Sequence, residues 1–300
     1  DHPMILVELG DTYTEKSEID LAQRYYEKAY SVNRNSSLAI SKVLDVLSTK
    51  NELAKAIEIA TEYLSRNNSD AHIYQKLANY YFYLSKFDSV VKYYQLAIKH
   101  SNNKAQVLAS FAQKQLAMSD HEGAVLSLQK AIAWNEDFIT GYLQLIELYA
   151  ELAYKEQALT LIEKLSDRVQ FPALIKSLKA DVHLKLENYV DAERYYQESL
   201  KLDKSQKASF GLSQALLKQG KHEQAITILE NWHSEQPQNT MMAIALAEAY
   251  VANNKKNQAV KVYEDQIQRH GKLPILLNNV AQIYISLAQF KIALHYAEMA

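Results

Sequence analysis

The sequence predicts an all-α solenoid of about nine helix-turn-helix repeats of 34 residues, on three observations. First, a short stretch returns. LAQRYYEKAYSVN at 21–33 reappears as DAERYYQESLKLD at 191–203, five periods of 34 residues later, and a period in the twenties to forties marks stacked structural repeats. Second, stepping along the chain from Ala22 meets Ala56, Val90, Ala124, Ala158, Ala192, Ala225, Ala259 and Ala293. Every interval is 34 residues except one of 33 between Ala192 and Ala225. Third, glycine and proline number six and four in 300 residues, too few for a sandwich or barrel with many tight turns.

The first helix of each repeat is read from two columns that precede the anchor. Twelve before it stand Gly10, Leu44, Ala78, Ala112, Ile146, Ala180, Ser213, Ala247 and Ala281, mostly small; nine before it stand Tyr13, Leu47, Tyr81, Gln115, Tyr149, His183, Leu216, Tyr250 and Tyr284, mostly large. The polar segment just before each anchor, such as KFDS or QGKHEQ, is the turn. The second helix carries the anchor, then Tyr26, Ala60, Tyr94, Leu128, Ile162, Tyr196, Leu229, Tyr263 and Ala297 four later. Seven after the anchor come Ala29, Tyr63, Ala97, Ala131, Leu165, Ser199, Trp232, Gln266 and Ala300. Offsets of 3, 4 and 7 share one helical face, and large side chains facing small ones fill an interior at native density. Pro3, Pro172, Pro237 and Pro274 all fall between repeats, where a proline does no harm to a helix. The repeats therefore run 3–36, 37–70, 71–104, 105–138, 139–172, 173–205, 206–239, 240–273 and, truncated, 274–300, as a single array.

These columns resemble the tetratricopeptide repeat: small, then Tyr, before an Ala anchor, with Tyr and Ala after it. LGDTYTEKSEIDLAQRYYEKAYSVN (9–33) carries the pattern nearly whole, and LAEAYVANNKKNQAVKVYE (246–264) follows closely. The resemblance implies antiparallel helix pairs stacked into a right-handed superhelix, with a concave groove lined by each repeat's first helix. Lys176 and Lys179 depart from it, standing where a first helix should be apolar, and looser packing is expected near 166–185. The chain begins at Asp1 and stops seven residues past an anchor, so both ends are read as cuts from a longer polypeptide.

Composition narrows the function. Apolar residues make up 48%, enough for a large core, and 33 Lys plus Arg against 35 Asp plus Glu leave a formal charge of −2. No basic field exists to neutralise phosphates, which argues against nucleic acid. Without cysteine there is no thiolate metal site or thiol nucleophile, and no apolar run is long enough to span a membrane. His121-Glu122 and His222-Glu223 lack a second histidine four residues after the first, since Val125 and Ile226 stand there; the metalloprotease motif is missing. Gly211 and Gly220 do not have phosphate-loop spacing, and His183 in the tyrosine column reads as a packed histidine. No catalytic residue, metal ligand or cofactor is expected.

Binding is left, and its candidates lie on the first helices. Eleven before the anchor stand Asp11, Asp45, Asn79, Gln113, Glu147, Asp181, Gln214, Glu248 and Gln282, all carboxylates or amides. Such a ladder of acceptors could hold the backbone amides of an extended peptide or the hydroxyls of a sugar chain. Beside it lie Phe82, Leu116, Phe210 and Ile244, with Tyr83 next to Phe82; an apolar strip with placed polar groups suits peptide recognition in a groove. The family's carboxylate clamp needs cations that Val7, Ser41, Gln75 and Ala109 do not supply. The expected partner is a protein or peptide, with polysaccharide as the alternative. Asn-rich turns and tyrosine content further resemble bacterial repeat lipoproteins of protein-sorting and exopolysaccharide systems, which favours a periplasmic lipoprotein segment, with the cytoplasm as the alternative. A regulatory arm of a larger enzyme is the third reading.

Overall fold

The computed structural model describes residues 2–300, and among them helix accounts for 80% of the chain with no strand. Eighteen helices follow one another. α1 (Pro3–Glu15), α2 (Ile19–Val32), α3 (Ser37–Thr49), α4 (Leu53–Arg66), α5 (Ala71–Tyr83), α6 (Phe87–His100), α7 (Lys104–Ala117) and α8 (His121–Trp134) come first. α9 (Ile139–Glu151), α10 (Lys155–Ser166), α11 (Pro172–Lys185), α12 (Tyr189–Leu202) and α13 (Gln206–Lys218) come next, then α14 (His222–Glu235), α15 (Thr240–Ala252), α16 (Lys256–His270), α17 (Pro274–Ser286) and α18 (Phe290–Met299). Odd-numbered helices are the first of each repeat and even-numbered ones the second. The chain forms two compact units, Asp1–Gly141 and Tyr142–Ala300.

The helix boundaries have local causes. Pro3, Pro172 and Pro274 each open a helix, where the missing N–H has no partner to lose. Ser36, Asp70, Asn103, Asp120, Asn188, Ser205 and Asn239 cap helix N-termini with side-chain oxygens. The turn inside each repeat is closed by the main chain, with side-chain caps added only by Asp120 and Asn188. Ser17, Asn51, Ser85, Ser119, Ala153, Glu187, Gly220, Asn254 and Ala288, each five before its anchor, all take positive φ between 56° and 75°. The N–H of the following residue returns to the carbonyl of the tyrosine column, as from Glu18 to Tyr13 at 2.8 Å, Asn188 to His183 at 2.9 Å and Lys255 to Tyr250 at 2.7 Å. This is a Schellman closure, repeated nine times with glycine at only one of its left-handed positions.

In the first compact unit the core runs from Leu6 to Phe111 and is built on the small columns: Ala22, Ala56 and Val90 have no exposed surface. In the second, two clusters hold Ala180 to Ala225 and Ile226 to Ile283, with Ala192, Ala225 and Ala259 fully covered. The tyrosine column pairs with the residue three after the anchor. Tyr13 stacks on Tyr25 at 5.2 Å, Tyr81 on Tyr93 at 5.3 Å, His183 on Tyr195 at 5.4 Å and Tyr284 on Tyr296 at 5.7 Å. Where the pair is Gln115 and Ser127 it becomes a hydrogen bond of 2.6 Å instead. His183 is thus a ring in a ring position, and burial pulls its pKa down, against the pull of Asp191.

The looser packing expected near 166–185 is corrected by the structure. α11 buries Ile175, Leu178, Ala180 and Val182 and packs closely on α12. Lys176 and Lys179 stand half-buried on α11, and each meets a carboxylate of a flanking helix, Glu198 of α12 at 2.6 Å and Glu163 of α10 at 2.5 Å. Their long apolar stems lie along the helix while the charge is paired. Among the described residues no helix is long and apolar enough to cross a membrane.

Candidate functional site

Within each compact unit the first helices touch their neighbours, α1 with α3 and α3 with α5, α11 with α13 and α13 with α15. The residues eleven before each anchor lie along this first-helix face. None of the nine is buried: Asp45, Gln113, Glu147, Gln214 and Glu248 are exposed, Asn79 and Asp181 half-exposed. A period of 3.6 places them on the side opposite the anchor contacts.

They are not all free acceptors, as the sequence reading took them to be. In three repeats the tyrosine four after the anchor reaches back to them across its own repeat, whereas the Tyr263 hydroxyl instead accepts from Asn279 at 3.2 Å. Tyr26 donates to Asp11 at 2.6 Å, Tyr94 to Asn79 at 3.2 Å and Tyr196 to Asp181 at 2.5 Å. Burial and then Asp11 push the Tyr26 phenol up to about 12, and burial and then the Asp181 charge drive Tyr196 well above the ordinary phenol range. Cations complete the set from the next first helix: Lys42 meets Asp11 at 2.6 Å, Lys76 meets Asp45, and Lys207 meets Asp181 at 2.9 Å. Burial raises the Asp11 carboxyl, but Lys42 and Tyr26 together hold it below the usual range. Where the second helix offers Ala60, Leu128, Ile162 or Leu229, no hydroxyl is available. Gln113, Glu147 and Gln214 have no side-chain partner among the described residues.

In the second compact unit these residues border a cavity of about 510 Å³ across α9, α11 and α13. Glu147, Asp181, Phe210 and Gln214, four of the candidates from sequence, line it. Leu143, Ile146, Ala150, Leu174, Leu178, Val182 and Leu184 supply apolar walls, and Lys185, Lys207, Tyr196 and Gly211 complete the lining. Gly211 explains how Tyr196 gets there: a Cβ on it would stand 2.2 Å from the phenol ring. The sequence reading missed Leu174, Leu178, Lys185 and Lys207. Their signal was the helical face itself, since offsets 18, 15, 14, 11, 8 and 7 before the anchor form one stripe. Ile244 and Glu248 sit on α15 outside this cavity, and Ile244 packs half-buried on the core around Tyr250.

The other candidates lie in the first compact unit. Asp45 is on α3, Asn79, Phe82 and Tyr83 on α5, and Gln113 and Leu116 on α7. Tyr83 is 62% exposed and meets Phe82 edge-on at 6.2 Å. Lys114 of α7 covers the Phe82 ring at 4.7 Å. Among the described residues no cluster of His, Asp or Glu could hold a metal ion.

Comparison with known proteins follows the repeat. Three family models described as tetratricopeptide repeat match residues 5–36, 177–240 and 216–283. No curated protein sequence matches the chain. A crystal structure of a tetratricopeptide repeat protein from Parabacteroides merdae is similar at a TM-score of 0.51 and 13% identity, covering 94% of this chain and 98% of that one. YrrB, titled a TPR protein with an unusual peptide-binding site, matches at 0.43 and 16% over 61% of this chain and 94% of its own. The APC/C hetero-tetramer Cut9–Hcn1 matches at 0.47 and 15% over 93% of this chain, which spans 55% of that one. The Parabacteroides merdae likeness speaks to fold alone.

Proposed function

Because the chain belongs to the tetratricopeptide repeat family, we propose that it is a non-catalytic scaffold holding an extended segment of a protein partner against its first helices. One observation carries the reading: the cavity of about 510 Å³ whose walls are apolar and whose rim holds Glu147, Asp181 and Gln214. Ligand sites are concave, mostly apolar and orient their ligand with a few placed polar groups. Repetition supports the extension of the surface to Asp45, Asn79, Phe82, Tyr83, Gln113 and Leu116 in the first unit and to Ile244 and Glu248 on α15. The nine repeats are read as one array, and a bacterial protein-sorting or exopolysaccharide system as its setting, on the Asn-rich turns and 21 tyrosines.

Glycan in the same groove would need exposed aromatic platforms. Tyr83 is one, but Phe82 lies under Lys114 and Phe210 packs on the core. The peptide reading is therefore the one retained.

The test compares two tryptophan variants of the whole chain as bait in a pull-down from a lysate of the source cells. Gln214→Trp fills the groove from its rim, and Lys201→Trp adds the same bulk to the exposed face of α12. A specific partner should be lost with the first and kept with the second. Retention by Gln214→Trp would place the interaction elsewhere.

A further inference from the structure

We infer that the groove across α9, α11 and α13 selects a segment that sets a bulky apolar side chain close to a lysine or arginine. This rests on the scaffold reading above and adds the chemistry of the partner. Most charged groups of the lining are already engaged. Asp181 accepts from the Tyr196 hydroxyl at 2.5 Å and faces Lys207 at 2.9 Å. Lys185 faces Glu151 at 3.4 Å. Pairing these off leaves Glu147 as the one charge of the lining without a counter-ion among the described residues. The cause lies in the second helix of its repeat, where Ile162 stands in the place from which Tyr196 serves Asp181.

An exposed carboxylate beside apolar walls attracts a cation more strongly than one surrounded by water, because low-dielectric walls focus its field. An acidic segment would meet Glu147 with like charge and would have to displace Asp181 from Lys207. The floor formed by Leu143, Ile146, Leu174, Leu178 and Phe210 has no hydrogen-bonding side chain and takes an apolar group. Gln214, exposed and unpaired, offers both a donor and an acceptor to an extended backbone. An arginine would bond Glu147 through two N–H groups, a lysine through one.

The experiment is a selection of random dodecapeptides displayed on phage against the whole chain, followed by titration of the enriched peptides by fluorescence anisotropy. Expected is enrichment of peptides with Leu, Ile, Met or Phe within three positions of Lys or Arg. Glu147→Gln, at an exposed site, should weaken these peptides about tenfold, the scale of a hydrogen bond to a charged group, and Gln214→Trp should abolish binding. Raising salt to about 1 M, where screening acts within about 3 Å, should weaken the parent chain and leave Glu147→Gln nearly unaffected. Peptides without basic residues, blocked by Gln214→Trp but indifferent to Glu147→Gln, would overturn the inference and leave the groove reading standing. Peptides that bind Gln214→Trp as well as the parent, or no enrichment at all, would overturn both.

Discussion

The phenol of Tyr196 donates to the carboxylate of Asp181 at 2.5 Å, joining the second helix of a repeat to the groove side of its first. The ring passes through the space left by Gly211, which has no side chain to oppose it. Tyr196→Phe keeps the ring and removes the bond. A loss of about 1–2 kcal/mol in urea unfolding is expected, since a bond to a charged acceptor is stronger than average but this one lies near the surface. Tyr83→Phe, on an exposed ring, should change nothing. Equal midpoints for Tyr196→Phe and the parent would show that the hydroxyl contributes no net stability.

The left-handed turn residues set a second expectation. An L-residue there carries about 1–2 kcal/mol of steric cost, while glycine adds entropy to the unfolded chain. Ala153→Gly and Ala288→Gly should each stabilise by roughly 0.5–1 kcal/mol, the difference between these effects. Gly220→Ala should destabilise by about 1 kcal/mol, with no steric contact to confuse the result because its Cβ would meet nothing within 4 Å. Thermal melts in which Ala153→Gly lowers Tm would contradict the assignment.

The anchor column predicts the cost of overfilling. Ala124 and Ala259 have no exposed surface, so Ala124→Leu or Ala259→Leu should cost about 1–3 kcal/mol by forcing the helices apart. Unchanged melting of both would mean that the column tolerates volume.

His183 predicts a pH dependence. Burial holds its pKa below the ordinary 6.5, although Asp191 pulls it up. The unfolded chain therefore takes up the proton first. Stability is full above about pH 6.5 and falls as pH drops through that value, by at most about 1.4 kcal/mol per unit. His72, lowered chiefly by burial, acts in the same sense. His183→Tyr restores the ring type usual in the column and should show a shallower loss between pH 7 and 5. Parallel stability curves for variant and parent would remove His183 as a contributor.

Much of this was legible in the chain because the governing contacts repeat. The anchor residues and the small column before them recur at near-fixed spacing and land buried, and Pro3, Pro172 and Pro274 each land at a helix start. The groove was legible only in part. Glu147 and Gln214 were found by their column, but that Asp11 and Asp181 were spoken for was not. Their partners, Tyr26 and Tyr196, sit fifteen residues on and read equally well as core, and whether a phenol reaches out depends on how the two helices cross. Lys207 was hidden for the same reason, because a solvated lysine and a paired one look alike in sequence. The left-handed residues were invisible because Ser, Asn, Ala and Glu serve there as well as Gly.

Those nine turns close through main-chain bonds, and every side chain at the left-handed position is exposed. Beyond its left-handed backbone, the turn therefore packs nothing against what is attached there. A dye or a thiol for coupling on the side chain at Ser85 or Asn254 would disturb no packed atom. Each compact unit thus carries its own row of mounting points, one per repeat and separate from the groove, from which distance rulers or linked modules could be hung while the binding face stays clear.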